Sequence, residues 1–269
     1  MSLRAIAASW MCLAAASLAG SARAQQGPPT RSLEEIRECA RANVPDKSAV
    51  QSVDLKTTDR LGGSRTLDAR IYWKPTAEGL SRVLVQVEGP ANVRGSAYLV
   101  LETEAGKNEM FTYLPEFGRV RRIQSDSAGG SLFGTDFTYE DFIHLQQGAS
   151  SAKSEKLPDT EIDGHGAHVI AALPAPDESS AYAKVLSFID RETCVPLKIE
   201  FYAHSGDLLK VLTADPATIS REGSFWVPHA VTLKDLKNET QTDAAFRKVE
   251  FDEDVPDRLF SVSHLERGR

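Results

Sequence analysis

The 269-residue sequence is poor in cysteine, in tryptophan and in long apolar runs. Its three cysteines include no C-x-x-C pair, which excludes a thioredoxin-like redox centre. The sequence has no G-x-S-x-G elbow, no H-E-x-x-H motif and no phosphate-cradling glycine loop, so no common catalytic motif indicates an enzyme. Beyond residue 24, no segment is apolar and long enough to predict a transmembrane helix.

The first residues have the pattern of a secretory signal peptide. Arg4 precedes an apolar run over 5–19, and Ala22-Arg23-Ala24 is a small-x-small cleavage pattern. The run is short for a bilayer crossing, although an uncleaved N-terminal anchor is the alternative. We therefore expect cleavage after Ala24, which removes residues 1–24 and leaves 25–269 as a single exported domain in the periplasm.

The balance of charge is acidic. The whole sequence carries a net charge of −7, and removal of Arg4 and Arg23 with the signal peptide brings it to −9. Because a negative protein is repelled by polyanions, neither nucleic acid nor an anionic membrane surface is expected as the main partner.

Hydrophobic periodicity predicts one short helix followed by many strands. Ser32 and Glu35 form a capping box for a helix that Pro45 ends. After it the apolar period is two, which is typical of antiparallel strands with one dry and one wet face. Twist accumulates across so long a sheet, which must close into a barrel or stay half open under a cover. We expect about ten to twelve strands, near 49–60, 65–74, 81–89, 95–103, 108–114, 118–124, 160–173, 183–190, 196–204, 207–213, 225–235 and 240–251.

Two segments, 97–101 and 167–173, are apolar on both faces. One interpretation is that they are central strands covered by helices. The other is that their second face lines a hydrophobic cavity, and the two interpretations are compatible.

Three segments resemble the outer-membrane lipoprotein-sorting protein family, which includes relatives of the periplasmic lipoprotein carrier and of a lipoprotein-sensing sigma-factor regulator. They are FTYLPEFGRVRRI (111–123), GGSLFGTDFTYEDF (129–142) and FIDRETCVPLKIEFYAHSGDLLKVL (188–212), and the resemblance extends over 33–265. It implies a mainly β fold: an unclosed, strongly curved antiparallel β-barrel (half-barrel) with an N-terminal helix and a short helical lid. It also implies that acyl or isoprenoid chains of a lipid or lipoprotein lie in a dry cavity, beside an inner-membrane exporter of the resistance-nodulation-division type. No cofactor is expected.

The segment 129–146, rich in glycine and phenylalanine, is the candidate lid. Gly129, Gly130 and Gly134 allow hinge conformations, and Asp136 or Thr138 can cap a short helix. A rigid connection that only packs against the core is the alternative. The residues expected to form the lid and the cavity are Leu132, Phe133, Phe137, Tyr139, Phe142, Tyr98, Val100 and Trp73.

Acids of the lid helix are expected to latch it to the preceding basic strand. Glu140 and Asp141 lie in the first turn, where the helix dipole favours carboxylates. Partly exposed pairs of this kind contribute about 0–1 kcal/mol each. The expected basic partners are Arg119, Arg121 and Arg122.

Two cysteines remain after the signal peptide, Cys39 and Cys194. In an oxidising compartment an even pair indicates a disulfide, which would join the N-terminal helix to the sheet. Two separate buried thiols are the alternative.

Other ionisable groups give weaker candidates. Glu140 and His144 can share a helix face but lack a third ligand at a familiar spacing, and His165 with His168 is interpreted as an incidental pair. We therefore expect no metal site and no catalytic residue. Scattered acids leave a paired-carboxylate hydrolase conceivable: Asp159, Glu161, Asp163, Asp177 and Glu178.

Three functions follow from these observations. The favoured one is a non-enzymatic carrier of lipid or lipoprotein chains in the periplasm. The second is a sensor that reads lipid with the same cavity and binds a membrane regulator, and the third is a secreted hydrolase. A carrier predicts an apolar cavity with few ionisable groups, whereas a hydrolase predicts ionisable groups that converge in a polar cleft.

Overall fold

The computed structural model describes residues 31–104, 108–124, 127–147, 153–173 and 180–267. The predicted signal peptide lies outside these ranges. Among the described residues, no helix combines the length and the apolar character that crossing a membrane would require.

Fifteen strands are present in the described part of the chain, and thirteen of them form one antiparallel sheet. They are β1 (Ala49–Thr58), β2 (Ser64–Pro75), β3 (Ser81–Gly89), β4 (Ala97–Glu102), β5 (Asn108–Leu114), β6 (Arg119–Ile123), β7 (Lys153–Ile162), β8 (His165–Leu173), β9 (Lys184–Asp190), β10 (Pro196–Tyr202), β11 (Leu208–Ala214), β12 (Ile219–Glu222), β13 (Phe225–Pro228), β14 (Ala230–Asp235) and β15 (Thr240–Phe251). The order in the sheet is β6-β5-β4-β3-β2-β1-β15-β14-β11-β10-β9-β8-β7, while β12 and β13 pair with each other. The sheet is curved and unclosed, which confirms the predicted half-barrel.

The two free edges of this sheet are consecutive in the chain. β6 ends at Ile123 and β7 begins at Lys153, and these strands stand at opposite ends of the strand order. The connection between them therefore has to pass from one edge of the half-barrel to the other. It carries helix α2 (Tyr139–Gln147), which lies over the concave face.

The strand β4 is apolar on both faces because both faces are covered. Tyr98 and Val100 belong to the cluster under the lid. Ala97 and Leu99 belong to a second cluster with Phe260 and with the C-terminal helix α3 (Val262–Arg267). Packed residues cover both faces of 97–101, which confirms the first interpretation. None of these residues is among the described residues that line the apolar cavity under the lid, so the second interpretation is wrong for this segment.

The N-terminal helix α1 (Leu33–Arg41) packs on β8 and β9. The capping box forms as predicted: Ser32 N donates to Glu35 Oε2 at 2.6 Å, and Glu35 N donates to Ser32 Oγ at 3.3 Å. Ile36 is fully buried among residues of β8 and β9. The predicted disulfide is present: Cys39 is bonded to Cys194, 155 residues away, with 5.8 Å between the Cα atoms.

Two predicted strands are each divided in the structure. The segment 160–173 falls within a hairpin, β7 and β8, whose turn contains Asp163 at φ 50° and Gly164 at φ 84°. Two consecutive residues with positive φ make the tight turn that Asp-Gly favours between antiparallel strands. His165 is the first residue of β8. The segment 225–235 is likewise divided, at His229, into β13 and β14.

Candidate functional site: a lidded apolar cavity

A cavity of about 340 Å³ lies between the concave face of the sheet and the connection from β6 to β7. Sheet residues such as Val85, Ile199 and Leu212 form its wall, and Ala40 of α1 closes part of it. Among the described lining residues, only Thr135, His144 and Ser187 have polar side chains; the apolar ones include Val53, Leu55, Leu67, Ala69, Ile71, Ile189, Val231, Ala244 and Phe246.

Four of the eight side chains named for the lid and cavity line this space: Leu132, Phe133, Phe137 and Phe142. Tyr139 belongs to the lid helix as expected, although it does not line the cavity. Tyr98, Val100 and Trp73 do not line it either, which corrects the expected set. Val100 and Trp73 pack in the adjoining core, and Tyr98 is fully buried there with its ring centroid 4.7 Å from that of Tyr139. The tilted rings of Tyr98 and Tyr139 therefore pack between β4 and α2, beneath the lid helix.

A tight turn shapes the lid before its helix. Leu132 N donates to the carbonyl of Phe137 at 2.7 Å, and the turn between them contains Phe133 at φ 53° and Gly134 at φ 77°. Among the three predicted hinge glycines, only Gly134 adopts the left-handed conformation. Phe133 shares that conformation, which is costly for a bulky residue, and its side chain lines the cavity.

Helix α2 begins with a reciprocal cap. Thr138 N donates to Asp141 Oδ2 at 2.8 Å, and Asp141 N donates to Thr138 Oγ1 at 3.0 Å. Of the two predicted capping residues, Thr138 therefore caps the helix. Asp136 instead accepts hydrogen bonds from the hydroxyls of Thr240 and Thr242 on β15.

Asp141 is completely buried and joins the lid to strand β11 of the sheet. Lys210 Nζ of β11 lies 2.6 Å from Asp141 Oδ2 and also donates to the carbonyl of Asp136 at 2.8 Å. The hydroxyl of Tyr182 donates to Asp141 Oδ1 at 2.5 Å. Burial, together with the adjacent charge of Asp141, raises the pKa of Tyr182 above its usual value.

Glu140 makes a second set of contacts on the same side. It accepts hydrogen bonds from the hydroxyl of Ser180 and from the backbone amide of Ala181, and its Oε1 lies 3.6 Å from His144 Nε2. Burial opposes ionisation, but the bonds from His144, Ser180 and Ala181 outweigh it and hold the pKa of Glu140 below its usual value. Glu140 is therefore an anion at neutral pH.

The predicted arginine latch is wrong in its basic partners. Arg122 pairs with Glu109 at 2.7 Å, and the guanidinium of Arg121 lies 4.3 Å from the ring centre of exposed Phe117. Arg119 is exposed as well. The acids of α2 have other partners: Asp141 pairs with Lys210 of β11, and Glu140 contacts Ser180 and Ala181, which precede β9.

Lys210 is not among the predicted site residues, although the sequence contains a signal for it. In β11, alternate residues Lys210, Leu212 and Ala214 are buried, so the lysine takes a position of the inward, apolar face. A lysine is almost never fully buried unless it is paired. Its position therefore indicates a buried carboxylate opposite.

The candidate histidines do not assemble a metal centre. Glu140 and His144 do meet, but within the described ranges no group of three potential ligands exists. His168 is buried, with Nδ1 at 3.1 Å from Asp159 Oδ1. His165 is exposed, 3.8 Å from Asp190, so the two histidines have separate partners.

The acids named for a hydrolase do not converge. Burial works against ionisation of Asp159, but Lys156, His168 and Arg191 bond its carboxylate and lower its pKa to about 2. Glu161 and Asp163 are exposed. Asp177 and Glu178 lie outside the residues that the structure describes.

A second, open cleft of about 790 Å³ lies over β1, β2, β11, β14 and β15 and contains several aspartates. Asp54 and Asp68 face each other in register, and burial, together with Asp68, raises the pKa of Asp54 although Arg247 opposes the shift. Asp243 accepts from Thr232 at 2.8 Å. The described lining of this cleft contains no histidine, cysteine or serine to act with these acids.

Solved structures with a similar fold confirm the predicted resemblance to lipoprotein-sorting proteins at the level of the fold. A domain described as outer membrane lipoprotein-sorting, from Vibrio parahaemolyticus, has a TM-score of 0.78 at 24% identity, over 88% of this chain and 98% of that one. A DUF1329 family protein from Desulfovibrio piger gives a TM-score of 0.79 at 19% identity, over 88% and 100% of the two chains. A LolA superfamily protein from Nitrosomonas europaea gives 0.66 at 19% identity, over 87% and 100%.

The chain itself belongs to a protein family whose model, described only as "-like: Uncharacterized protein", matches residues 79–267. No protein with a curated description matches the sequence.

Proposed function

We propose that this protein is a periplasmic carrier that holds a hydrocarbon chain of a lipid or lipoprotein while it crosses water between two membranes. The cavity under the lid is the observation that supports this most directly. Each methylene moved from water into such a space contributes about 0.8 kcal/mol. A chain of several methylenes therefore offsets the cost of displacing a few lid contacts.

The place of the carrier in the cell is part of the same proposal. The predicted signal peptide would deliver the chain to the periplasm, where the disulfide between Cys39 and Cys194 is stable. The structural similarity to lipoprotein-sorting proteins supports lipid or lipoprotein as the cargo. The donor of the cargo would be an inner-membrane exporter of the resistance-nodulation-division type.

Uptake of a neutral fluorescent probe, a pyrene-labelled acyl ester, tests the carrier proposal. Ala244 lines the cavity and is buried, whereas its neighbour Ala245 is exposed on the other face of β15. We expect Ala244→Leu to weaken probe binding at least about tenfold, because it fills space that the chain needs. Ala245→Leu is the matched control and should bind as the wild type does. Failure of the wild type to take up the probe would contradict the proposal, as would equal binding by the two variants.

A further inference from the structure

We infer that the cavity accepts a single hydrocarbon chain with an uncharged end and discriminates against a free carboxylate of the same chain length. This inference rests on the proposed carrier function and specifies its ligand. The lining, the charge of the lid and the size of the cavity each support it.

The described lining residues offer no cation to a ligand. They include neither lysine nor arginine, and His144 is their one ionisable side chain. Lys210 lies nearby, but it is engaged by Asp141 and by the carbonyl of Asp136. Arg65 packs against Gly134 from outside and is exposed to solvent. A ligand carboxylate would therefore enter without a partner of opposite charge.

The lid is itself negative. Its three carboxylates, on Asp136, Glu140 and Asp141, exceed the positive charge of Lys210 and His144, which contact them. These five groups sum to about −2 with a neutral His144 and about −1 with a protonated one; a further cation beside the lid, Arg65, is exposed, so solvent screens its charge. Burial of an unpaired carboxylate is strongly unfavourable, and neighbouring carboxylates increase the cost. An alcohol, an ester or an amide carries no such cost.

The volume of the cavity limits the number of hydrocarbon chains that it can hold. About 340 Å³ is near the lower end of the 300–1,000 Å³ typical of ligand pockets. With the lid in the position seen here, the cavity holds one chain. A lipid with several chains would leave the others outside or would displace the lid.

Competition between three ligands of equal chain length tests the inference. Dodecanol, methyl dodecanoate and dodecanoate are each added as competitors of the neutral pyrene-labelled ester. The measurement is made at pH 7 and at concentrations below those at which each ligand aggregates. We expect the alcohol and the methyl ester to compete alike and dodecanoate to compete at least about tenfold more weakly. The ester is the critical control, since it keeps the carbonyl and the chain of the acid and loses only the charge.

A variant of the lid tests the electrostatic cause. Glu140→Gln removes one lid carboxylate and keeps an acceptor for Ser180 and Ala181. It should narrow the gap in affinity between dodecanoate and the methyl ester by at least about threefold. The affinities of dodecanol and the methyl ester relative to each other should not change, because both ligands are neutral. If dodecanoate bound as tightly as the ester to the wild type, the inference would be overturned and the carrier proposal would stand. If none of the three competed, both would fall.

Discussion

Lys210 and Asp141 form a buried ion pair, with 2.6 Å between Nζ and Oδ2, that joins the sheet strand β11 to the first turn of the lid helix. Neither side chain is more than 8% exposed. The strands β6 and β7 leave the half-barrel open, and this pair fixes the connection between them over the concave face. In the proposed carrier, the closed position of the lid would depend on this pair, because each charge compensates the other in the interior.

Loss of one partner should be far more damaging than loss of both charges. Lys210→Met leaves Asp141 as an uncompensated buried carboxylate, which costs about 3–5 kcal/mol of unfolding free energy. The double variant Lys210→Met/Asp141→Asn has no buried charge there and should recover at least half of that loss. Urea denaturation of the two variants measures the difference. Single and double variants of equal stability would show that the pair does not hold the lid.

The Lys210→Met variant also distinguishes opening of the lid from a loss of global stability. Amide exchange at Leu132 and Asp136 reports on the lid, since their backbone amides bond within the lid and to Thr242. Lys210→Met should speed exchange at these amides more than at β3 or β4. Uniform acceleration across the sheet and the lid would instead indicate that the lid does not open separately.

The disulfide should contribute substantially to stability. Its 155-residue separation makes the closed loop long, and removal of a native bridge costs about 2–5 kcal/mol in the chain-entropy account. The double variant Cys39→Ser/Cys194→Ser should therefore lower the urea midpoint by the amount that reductant lowers it in the wild type. Mass spectrometry of the wild type without reductant should show no free thiol at either position. Two free thiols would contradict the pairing.

Asp159 should make stability depend on pH in acid. Its folded pKa of about 2 lies below the ordinary value of 3.8, so its bonds to Lys156, His168 and Arg191 stabilise the fold fully above the ordinary pKa. That contribution is lost as the pH falls through about 2. Allowing for solvent screening, Asp159→Asn should cost about 1 kcal/mol at pH 7. The cost should shrink toward zero near pH 2. Denaturation at several pH values measures it, and a cost independent of pH would refute the assignment.

Much of the fold follows from local patterns in the sequence. Period-two alternation identified most strands, and the Ser32–Glu35 capping box identified α1, because each pattern reflects burial of one face or satisfaction of a helix end. The turn at Asp163-Gly164 was predictable in the same way but was missed, since its flanking segments were interpreted as one strand. The order of the strands around the sheet depends on pairings between distant residues, so neither the local patterns nor the family resemblance predicted it.

The site was predictable in part. The phenylalanines of the lid line the cavity, and they were identified from an aromatic helix that follows glycines. The spacing of Glu140 and His144 indicated their contact, but the basic partner of Asp141 could not be found from proximity in sequence. Lys210 is 69 residues from Asp141, and the direction in which a lid closes depends on the curvature of the sheet.

Native mass spectrometry of the protein purified from its own periplasm, without removal of lipid, tests the central claim most directly. The account predicts one bound lipid per chain in the wild type and in Ala245→Leu, and loss of that lipid in Ala244→Leu. A wild-type protein that carries no lipid and takes up none when neutral single-chain lipids are added would contradict it.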